Sequence, residues 1–318
     1  MVKAFQPSIG IAFFFVAVGL LMLFFGGEAL VSGATKLARR LGMSTLMIGL
    51  TVVAFGTSVP ELFVSLTATL QHHPDIMIGN VVGSNIANVG LILGISALTL
   101  PLRLTLVEVW IELILVLAGS VILLLCTMQG YFPRSIGVLF ILVLISYTYF
   151  SYRGSRTKRS EEANDHVQEG MPSIPVSLTL IAGGLFFLSF GADIFIRGAA
   201  AVARWFGVSE LIIGLTLAAV GTSLPELASS FSALRRNEPG LLIGNVIGSN
   251  MFNLFMVLGL TAAISPVELS GELLYRDLPV MVAFTLVLLP ILRHSGGTLR
   301  WHGAFLLAAY IGYYFFLF

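Results

Sequence analysis

One block of thirteen residues occurs twice in this chain, and each copy places a proline and a glutamate inside a long apolar run. The first copy reads GLTVVAFGTSVPE over residues 49–61, and the second reads GLTLAAVGTSLPE over residues 214–226. Nine of the thirteen positions are identical at an offset of 165. Any fold for this chain must therefore accommodate two carboxylates and two helix-breaking prolines in apolar surroundings.

The apolar runs around these blocks are long enough to cross a bilayer. Of the 318 residues, 57% are hydrophobic and 10% are charged, whereas about 25% are charged in soluble domains. Runs near or above about 20 apolar residues recur along the chain. We predict an all-α membrane protein in contact with the lipid bilayer. No basic patch indicates nucleic acid, no motif indicates a protein partner, and the single Cys126 has no partner for an internal disulfide.

The apolar runs predict ten transmembrane helices. Their positions are about 9–37, 44–70, 76–99, 106–128, 133–152, 175–202, 209–234, 240–263, 277–293 and 299–318. Residues 1–152 then form a first five-helix repeat, and residues 175–318 form a second. Residues 153–174 are polar and of mixed charge, which is typical of a solvated linker. We expect this linker to be cytoplasmic.

The two repeats are predicted to cross the membrane in opposite directions. Equivalent positions of the two halves are separated by five spans, which is an odd number. Inverted repeats with interrupted helices in matching positions are typical of secondary transporters. With both termini outside, twelve of the 17 Lys and Arg residues lie on the inner side. Because basic residues favour the cytoplasmic side, we predict this orientation in the plasma membrane.

Pro60 and its repeat partner Pro225 predict interrupted helices. Proline lacks an amide hydrogen and clashes with the carbonyl four residues earlier. The carbonyls that are freed need a partner within the membrane, and a cation would be one. Helical spacing places hydroxyl groups on the face of each glutamate; the sets are Ala54, Thr57, Ser58, Glu61 and Ser65, and Ala219, Thr222, Ser223, Glu226 and Ser230. Alternatively, the hydroxyls bond back to a kinked helix and the glutamates are paired or reach the interface.

A second block is duplicated at the same offset, GNVVGSNIAN over residues 79–88 and GNVIGSNMFN over residues 244–253. Its glycines, such as Gly79 and Gly83, predict close approach of a neighbouring helix. One stripe of polar residues is predicted to line the cavity with the glutamates: Ser84, Asn88, Ser249 and Asn253. The remaining asparagines are predicted to hydrogen-bond neighbouring helices: Asn80, Asn85, Asn245 and Asn250. Helix–helix hydrogen bonding is also the alternative for the first four.

The candidate ligands of both blocks are all oxygen atoms. Calcium takes 6–8 oxygen ligands at about 2.3–2.6 Å, whereas zinc and copper sites use cysteine and histidine. Two carboxylates match one divalent ion or two monovalent ions. Ions of different charge would therefore compete for the same carboxylates, which is a physical basis for exchange. We expect small inorganic cations, Ca²⁺ and Na⁺, as transported ions.

The paired GTSxPE and GNVxGSN blocks resemble the two alpha-repeats of the sodium/calcium exchanger family, of the prokaryotic type. The resemblance covers essentially the whole chain. It implies that Glu61 and Glu226 coordinate both ions and that Thr57 and Thr222 lend their carbonyls. It also implies sodium sites completed by Ser58, Ser223, Ala54 and Ala219, and further ligands from Ser84, Ser249, Asn88 and Asn253.

One position departs from some members of that family. Potassium-dependent relatives have an aspartate where this chain has Asn253, and asparagine removes a titratable charge. The resemblance therefore favours exchange without potassium and leaves open which ion occupies the centre of the site. The family also implies three sodium ions for each calcium ion, a stoichiometry that this sequence alone does not establish.

The predicted function is secondary active antiport by alternating access, not enzymatic catalysis. The long first helix of each half, 9–37 and 175–202, is predicted to slide across a core formed by the motif helices, with its glycines allowing smooth contact. The alternative reading of these glycines is ordinary packing. A calcium/proton exchanger is the nearest functional alternative; an intramembrane hydrolase with two carboxylates and a passive channel are more distant ones.

Overall fold

A computed structural model describes residues 8–102, 105–162, 173–208, 221–269, 275–294 and 297–317. Nearly all of these residues are helical. The described part also contains a two-residue antiparallel ribbon in which Tyr131 pairs with Glu268 and Phe132 with Val267. This ribbon joins the connection after the fourth predicted span to the connection after the eighth.

The described residues form fourteen α-helices, with three π-helical segments between them. The α-helices are α1 (Ile9–Leu41), α2 (Thr45–Ile48), α3 (Ala54–Thr57), α4 (Val59–Leu70), α5 (Pro74–Ala87), α6 (Gly94–Thr99), α7 (Leu106–Met128), α8 (Arg134–Glu162), α9 (Ile174–Trp205), α10 (Leu224–Arg235), α11 (Pro239–Phe252), α12 (Gly259–Ile264), α13 (Asp277–His294) and α14 (Arg300–Leu317). The π-helical segments are Gly49–Val53, Asn88–Leu93 and Asn253–Leu258.

The length and composition of these helices confirm the predicted all-α membrane class. Within the described residues, six continuous stretches are long and apolar enough to cross a bilayer: Ile9–Leu41, Pro74–Thr99, Leu106–Met128, Arg134–Arg153, Ile174–Trp205 and Pro239–Ile264. The bent pair Thr45–Thr57 and Val59–Leu70 is a seventh candidate. Residues 209–220, the first half of the predicted seventh span, lie outside the described residues.

Helix α8 is longer than the sequence predicts. It continues to Glu162, although the polar linker was expected to begin at residue 153. Gly154 costs only about 1 kcal/mol in a helix, and the arginine, lysine and glutamate residues that follow favour one. The start of α9 at Ile174 agrees with the predicted end of the linker, and residues 163–172 lie outside the described part of the chain.

Burial separates the helices into a core and a periphery. The most apolar window of Pro239–Ile264 is 100% buried and that of Pro74–Thr99 is 78% buried, whereas the windows of Ile9–Leu41 and Ile174–Trp205 are 22% and 28% buried. The helices that carry the second duplicated block therefore form the centre of the protein. The long first helix of each half lies outside that centre.

Helices α1 and α9 cross in an antiparallel pair with glycines along the contact. A Cβ at Gly19 would lie 2.6 Å from the Phe195 nitrogen, and one at Gly33 would lie 2.9 Å from the Ile181 nitrogen. Between them, a Cβ at Gly26 would lie 2.9 Å from the backbone of α9. Glycines of α9 approach the α1 backbone in return; these are Gly184, Gly191 and Gly198. At these positions the close glycine contact is between α1 and α9, and not with the core that the sequence predicts the two helices to cross.

The remaining glycine predictions have mixed outcomes. No atom of the described residues lies within 4 Å of a Cβ added at Gly183, so the close contact predicted for this glycine is absent among them. In the second block, a Cβ at Gly248 would lie 2.9 Å from the Leu50 Cα, which confirms close approach. For Gly79 and Gly83, the contacts equivalent by the repeat fall in residues 209–220, outside the described part.

Candidate cation-binding site

Both motif prolines lie at the start of a new helix. The helix that ends at Thr57 and the helix that begins at Val59 are bent by 41° at Ser58, so the predicted interruption is confirmed. Pro60 lies in the first turn of α4, where its missing amide hydrogen costs no intrahelical bond. In the second copy, α10 begins at Leu224 and carries Pro225 in its first turn.

The same geometry places each glutamate in the first turn of a helix. Glu61 is in the first turn of α4 and Glu226 in the first turn of α10. Free backbone amides and the helix dipole favour negative charge at this end. A carboxylate can therefore be held here within apolar surroundings without a basic side chain. Neither glutamate takes part in an ion pair with another described residue.

The two glutamates are fully buried and lie close together. Both side chains are 0% exposed, and their charges are close enough to repel each other. All four carboxylate oxygens lack a hydrogen-bond partner among the described residues. Burying two unpaired negative charges side by side is strongly unfavourable. This arrangement therefore calls for a cation between the two carboxylates.

The threonine before each break is held by an asparagine of the opposite half. The Thr57 hydroxyl donates to Asn245 Oδ1 at 3.1 Å, and the Thr222 hydroxyl donates to Asn80 Oδ1 at 3.2 Å. Thr222 lies near Glu61 and Thr57 near Glu226. Each threonine hydroxyl is thus held by an asparagine of the opposite half and lies beside a carboxylate.

The same two asparagines also donate to serines of their neighbouring helices. Asn80 Nδ2 donates to Ser65 Oγ at 2.9 Å and to the Glu61 carbonyl at 3.1 Å. Asn245 Nδ2 donates to Ser229 Oγ at 3.0 Å. The prediction that these asparagines hydrogen-bond neighbouring helices is confirmed.

The side-chain amides of Asn88 and Asn253 are each held by an asparagine of the opposite half. Asn88 Nδ2 donates to Asn250 Oδ1 at 3.0 Å, and Asn253 Nδ2 donates to Asn85 Oδ1 at 3.4 Å. The Oδ1 atoms of Asn88 and Asn253 are buried and have no partner. Each of these asparagines begins a π-helical segment, a feature frequent at functional sites. Two asparagine pairs that cross the halves thus turn carbonyl oxygens inward.

Unpartnered oxygens in the described residues concentrate on these motifs. Ten buried side-chain oxygens lack a hydrogen-bond partner, and eight of the ten belong to six motif residues. The eight are the four carboxylate oxygens, two amide oxygens and two hydroxyl oxygens of Glu61, Glu226, Asn88, Asn253, Ser58 and Ser223. Buried polar groups in proteins are otherwise almost always hydrogen-bonded.

The other candidate ligands have partners within the protein or lie outside the described residues. Ser249 Oγ lies 3.4 Å from the Thr57 hydroxyl, and Ser84 Oγ lies 3.5 Å from the Thr222 hydroxyl. Ala54 is buried, and its carbonyl accepts the Ser58 amide at 3.0 Å. Its repeat partner Ala219 is outside the described part of the chain.

The chemistry available to this arrangement is reversible cation binding. Hard oxygen donors in this number suit calcium, which accepts 6–8 such ligands, and sodium is also a hard cation. Two carboxylates neutralise one divalent charge or two monovalent charges. Asn85 and Asn250, which were predicted only to hydrogen-bond neighbouring helices, also matter here because they hold the amides of Asn253 and Asn88. The signal in the sequence was that Asn85 and Asn250 are repeat partners at the offset of 165 residues.

Comparison with known proteins places this chain in a family. The sequence model of the family described as "Sodium/calcium exchanger protein" matches residues 11–153 and 176–318. The chain is similar to the putative antiporter CaxA of Alkalimonas amylolytica, at 36% identity over 97% of this chain and 99% of that protein. It is also similar to the sodium/calcium exchanger MaX1 of Methanosarcina acetivorans, at 32% identity over 98% of this chain and 99% of that protein.

A solved structure extends the likeness to the fold. The structure of the sodium-calcium exchanger NCX_Mj soaked with Na⁺ and Sr²⁺ superimposes with a TM-score of 0.81 at 32% identity. The match covers 95% of this chain and 97% of that chain. The family model spans both halves, and the similarity to these relatives runs nearly end to end. The chain therefore belongs to the sodium/calcium exchanger family.

Proposed function

We propose that this protein exchanges Na⁺ for Ca²⁺ across its membrane. As a member of its family it is a membrane cation exchanger and not an enzyme, so a hydrolase is no longer an alternative. The observation that carries the proposal is the set of eight buried, unpartnered oxygens that includes both carboxylates. An empty site with two adjacent negative charges is a poor state in which to change conformation. Transport of one ion is thereby coupled to return of the other.

The proposed ligands are the residues of the two duplicated blocks. The carboxylates of Glu61 and Glu226 bind Ca²⁺ centrally and are shared with Na⁺. Sodium is further bound near each break by hydroxyl and carbonyl oxygens of Ser58, Ser223, Thr57, Thr222, Ala54 and Ala219. The remaining ligands come from Asn88, Asn253, Ser84 and Ser249. A neutral amide at Asn253 supports exchange that is independent of potassium.

We further propose ten membrane spans in two inverted repeats. Beyond the seven candidates above, α13 and α14 each have 18 residues, or about 27 Å of helix, close to the bilayer's apolar thickness of about 30 Å. The remaining span comprises residues 209–234. The distribution of Lys and Arg supports both termini outside, a cytoplasmic linker at residues 153–174, and insertion in the plasma membrane.

Alternating access is proposed to arise from movement of α1 and α9 against the core. Together with α8, these two helices are the least buried of the long helices. Their glycines let the backbones of α1 and α9 lie close together. The motif helices stay packed around the ions. Movement of the α1–α9 pair then opens the site to one side of the membrane at a time.

Calcium uptake into proteoliposomes tests the proposed exchange. We expect an outward Na⁺ gradient at clamped pH to drive uptake, since sodium leaving the site allows calcium to return. Uptake driven only by a pH gradient would instead indicate a calcium/proton exchanger. Calcium flux in the absence of any counter-ion would indicate a channel. Potassium gradients form the negative control, and dependence on them would contradict the role given to Asn253.

Ser58→Ala is expected to weaken sodium dependence more than calcium binding. The Ser58 oxygen is buried without a partner, and its loss removes one neutral ligand while both carboxylates remain. A calcium ion keeps two full charges nearby, whereas a sodium ion depends more on neutral oxygens. We expect the Na⁺ concentration for half-maximal exchange to rise about five- to tenfold. A control is Ser120→Ala, whose hydroxyl bonds the Val116 carbonyl at 2.7 Å; an unchanged sodium response in Ser58→Ala would contradict the assignment.

A further inference from the structure

A partly buried ion pair ties α1 to the end of α10. Glu28 Oε2 accepts hydrogen bonds from Arg236 Nε at 3.0 Å and Nη2 at 2.8 Å. Glu28 Oε1 is buried without a hydrogen-bond partner, and Arg235 Nη1 lies 3.9 Å from it. The Arg235 guanidinium also lies 4.8 Å from the centroid of the Phe24 ring. Two residues of α1 thus contact two consecutive arginines.

The same part of α1 covers α10 closely. A Cβ at Gly27 would lie 2.5 Å from Ser232 Oγ and 2.9 Å from the Ala228 carbonyl oxygen. Ser232 is only 2% exposed. Helix α1 therefore covers α10 at this end of the protein. Glu28 lies at the edge of the contact between the two helices.

At the repeat-equivalent positions of the other half, the described residues show neither this ion pair nor this close cover by a long helix. Glu28 corresponds to Asp193, while Arg235 and Arg236 correspond to Leu70 and Gln71. Asp193 pairs instead with Arg197 of its own helix at 2.8 Å. The backbone is the same at both helix ends, with φ −90° and ψ 7° at Gln71 and φ −86° and ψ 3° at Arg236. The difference therefore lies in the side chains.

The end of α4, which is the repeat equivalent of the end of α10, is not covered by a long helix among the described residues. Thr67, the partner of Ser232, is exposed, and Phe63, the partner of Ala228, is 66% exposed. One end of the protein is thus closed by a long helix while its repeat-related end is uncovered. In an inverted-repeat transporter, the opposite conformation would interchange these two arrangements.

We infer that Glu28, Arg235 and Arg236 form a one-sided ionic latch that favours the conformation closed at the α10 end. The inference rests on the proposed alternating access. In the opposite conformation α9 would cover α4, where Asp193 would meet Leu70 and Gln71 and gain no ion pair. Only one of the two states then has the latch, so the equilibrium shifts toward it. With the proposed orientation, the resting exchanger is closed to the cytoplasm.

Burial makes this ion pair more effective than an ordinary surface pair. The Glu28 side chain is 22% exposed and that of Arg236 is 41% exposed. Exposed pairs are weak because water and salt screen them, but one Glu28 oxygen is inaccessible and both of its partners are cations. When α1 moves away, this carboxylate must separate from both arginines at once.

The test measures how quickly a thiol at each helix end reacts. Full-length protein carrying Cys126→Ser is given either Ser232→Cys or Thr67→Cys, and is labelled in detergent with N-ethylmaleimide. Adding Glu28→Gln is expected to raise the labelling rate at position 232 about three- to tenfold and to lower it at position 67. Arg236→Gln should have the same effect. The combination should add little to either single change, because both remove one interaction.

Asp193→Asn is the matched control and should leave both labelling rates unchanged, since Asp193 pairs only within α9. Gln71→Arg supplies the missing partner to Asp193 and should act in the opposite direction, slowing labelling at position 67. This variant keeps every native latch residue and so still tests the inference if Glu28→Gln does not fold. Unchanged labelling in Glu28→Gln, Arg236→Gln and Gln71→Arg would overturn the latch.

The latch and the proposed exchange can fail separately. Normal sodium-driven calcium uptake with no labelling change in these variants would overturn the latch and leave exchange intact. Labelling that shifts as expected in a protein without sodium-driven uptake would support the latch and overturn the proposed ion coupling. Equal labelling at positions 232 and 67 before any latch change would contradict the one-sided closure itself.

Discussion

Glu61→Gln and Glu226→Gln are each expected to abolish calcium transport. Each change removes one of two charges that compensate a divalent ion while keeping the shape of the side chain. A unit charge pair at 4 Å contributes about 4 kcal/mol at an effective dielectric constant of 20, and each 1.4 kcal/mol is about tenfold in affinity. We therefore expect sodium-driven calcium uptake to fall by more than about 100-fold.

The same substitutions should stabilise the ion-free protein. Both carboxylates are 0% exposed and their oxygens have no hydrogen-bond partners, so neutralising one removes a buried, repelled charge. The Tm without calcium is expected to rise, and the further increase that calcium gives the native protein should disappear. A purely structural role for the glutamates predicts a lower Tm instead.

Glu112→Gln is the matched control for both measurements. Glu112 is also a buried glutamate, 5% exposed, in α7. Its carboxylate accepts a hydrogen bond from the Tyr147 hydroxyl at 2.5 Å, and the glutamine oxygen can accept the same bond. Calcium uptake and the calcium-induced rise in Tm should both persist in this variant. Uptake at the native level in Glu61→Gln or Glu226→Gln would contradict the shared two-carboxylate site.

Local chemistry explains why the sequence predicted the interruption and the ligand types. Proline cannot supply an amide hydrogen, so Pro60 required a break wherever it lay in an apolar run, and the break occurs at Ser58. Two similar blocks at a constant offset also indicated that the two glutamates act together. These inferences depend only on covalent structure and on the cost of buried charge.

Features that depend on which helices pack against each other could not be predicted from the local sequence. The orientation of the Asn88 amide depends on Asn250, which is 162 residues away. The difference between Gly183 and Gly184 depends on which side of α9 faces α1. The sequence also placed Glu28 and Asp193 in equivalent positions, but Glu28 lies near two arginines of another helix, whereas Asp193 pairs with Arg197 of its own helix. The asymmetry of the two halves follows from packing, not from the shared motif.

Gly184→Ala is expected to impair both stability and transport, because the added methyl would meet backbone. Its Cβ would lie 2.6 Å from the Leu30 nitrogen and 2.8 Å from the Gly26 carbonyl oxygen. Backbone atoms cannot rotate away as a side chain does, so α1 and α9 must separate. Overpacking of this kind costs about 1–3 kcal/mol, which corresponds to about 5- to 150-fold in an equilibrium constant.

Gly183→Ala is the neighbouring control and should act in the opposite direction. No atom of the described residues lies within 4 Å of a Cβ added at Gly183, and alanine favours a helix over glycine by up to about 1 kcal/mol. Thermal unfolding should therefore give a lower Tm for Gly184→Ala and an equal or higher Tm for Gly183→Ala.

Calcium uptake by the same two variants separates ordinary packing from sliding. If the glycines only pack, restoring the stability of Gly184→Ala at lower temperature should restore its uptake relative to the native protein. If α1 and α9 must pass each other closely during the cycle, uptake should stay reduced at least about fivefold even where the variant is fully folded. Native uptake by folded Gly184→Ala would show that α1 and α9 do not slide past each other during exchange, which leaves movement of the pair across the core as the proposed step.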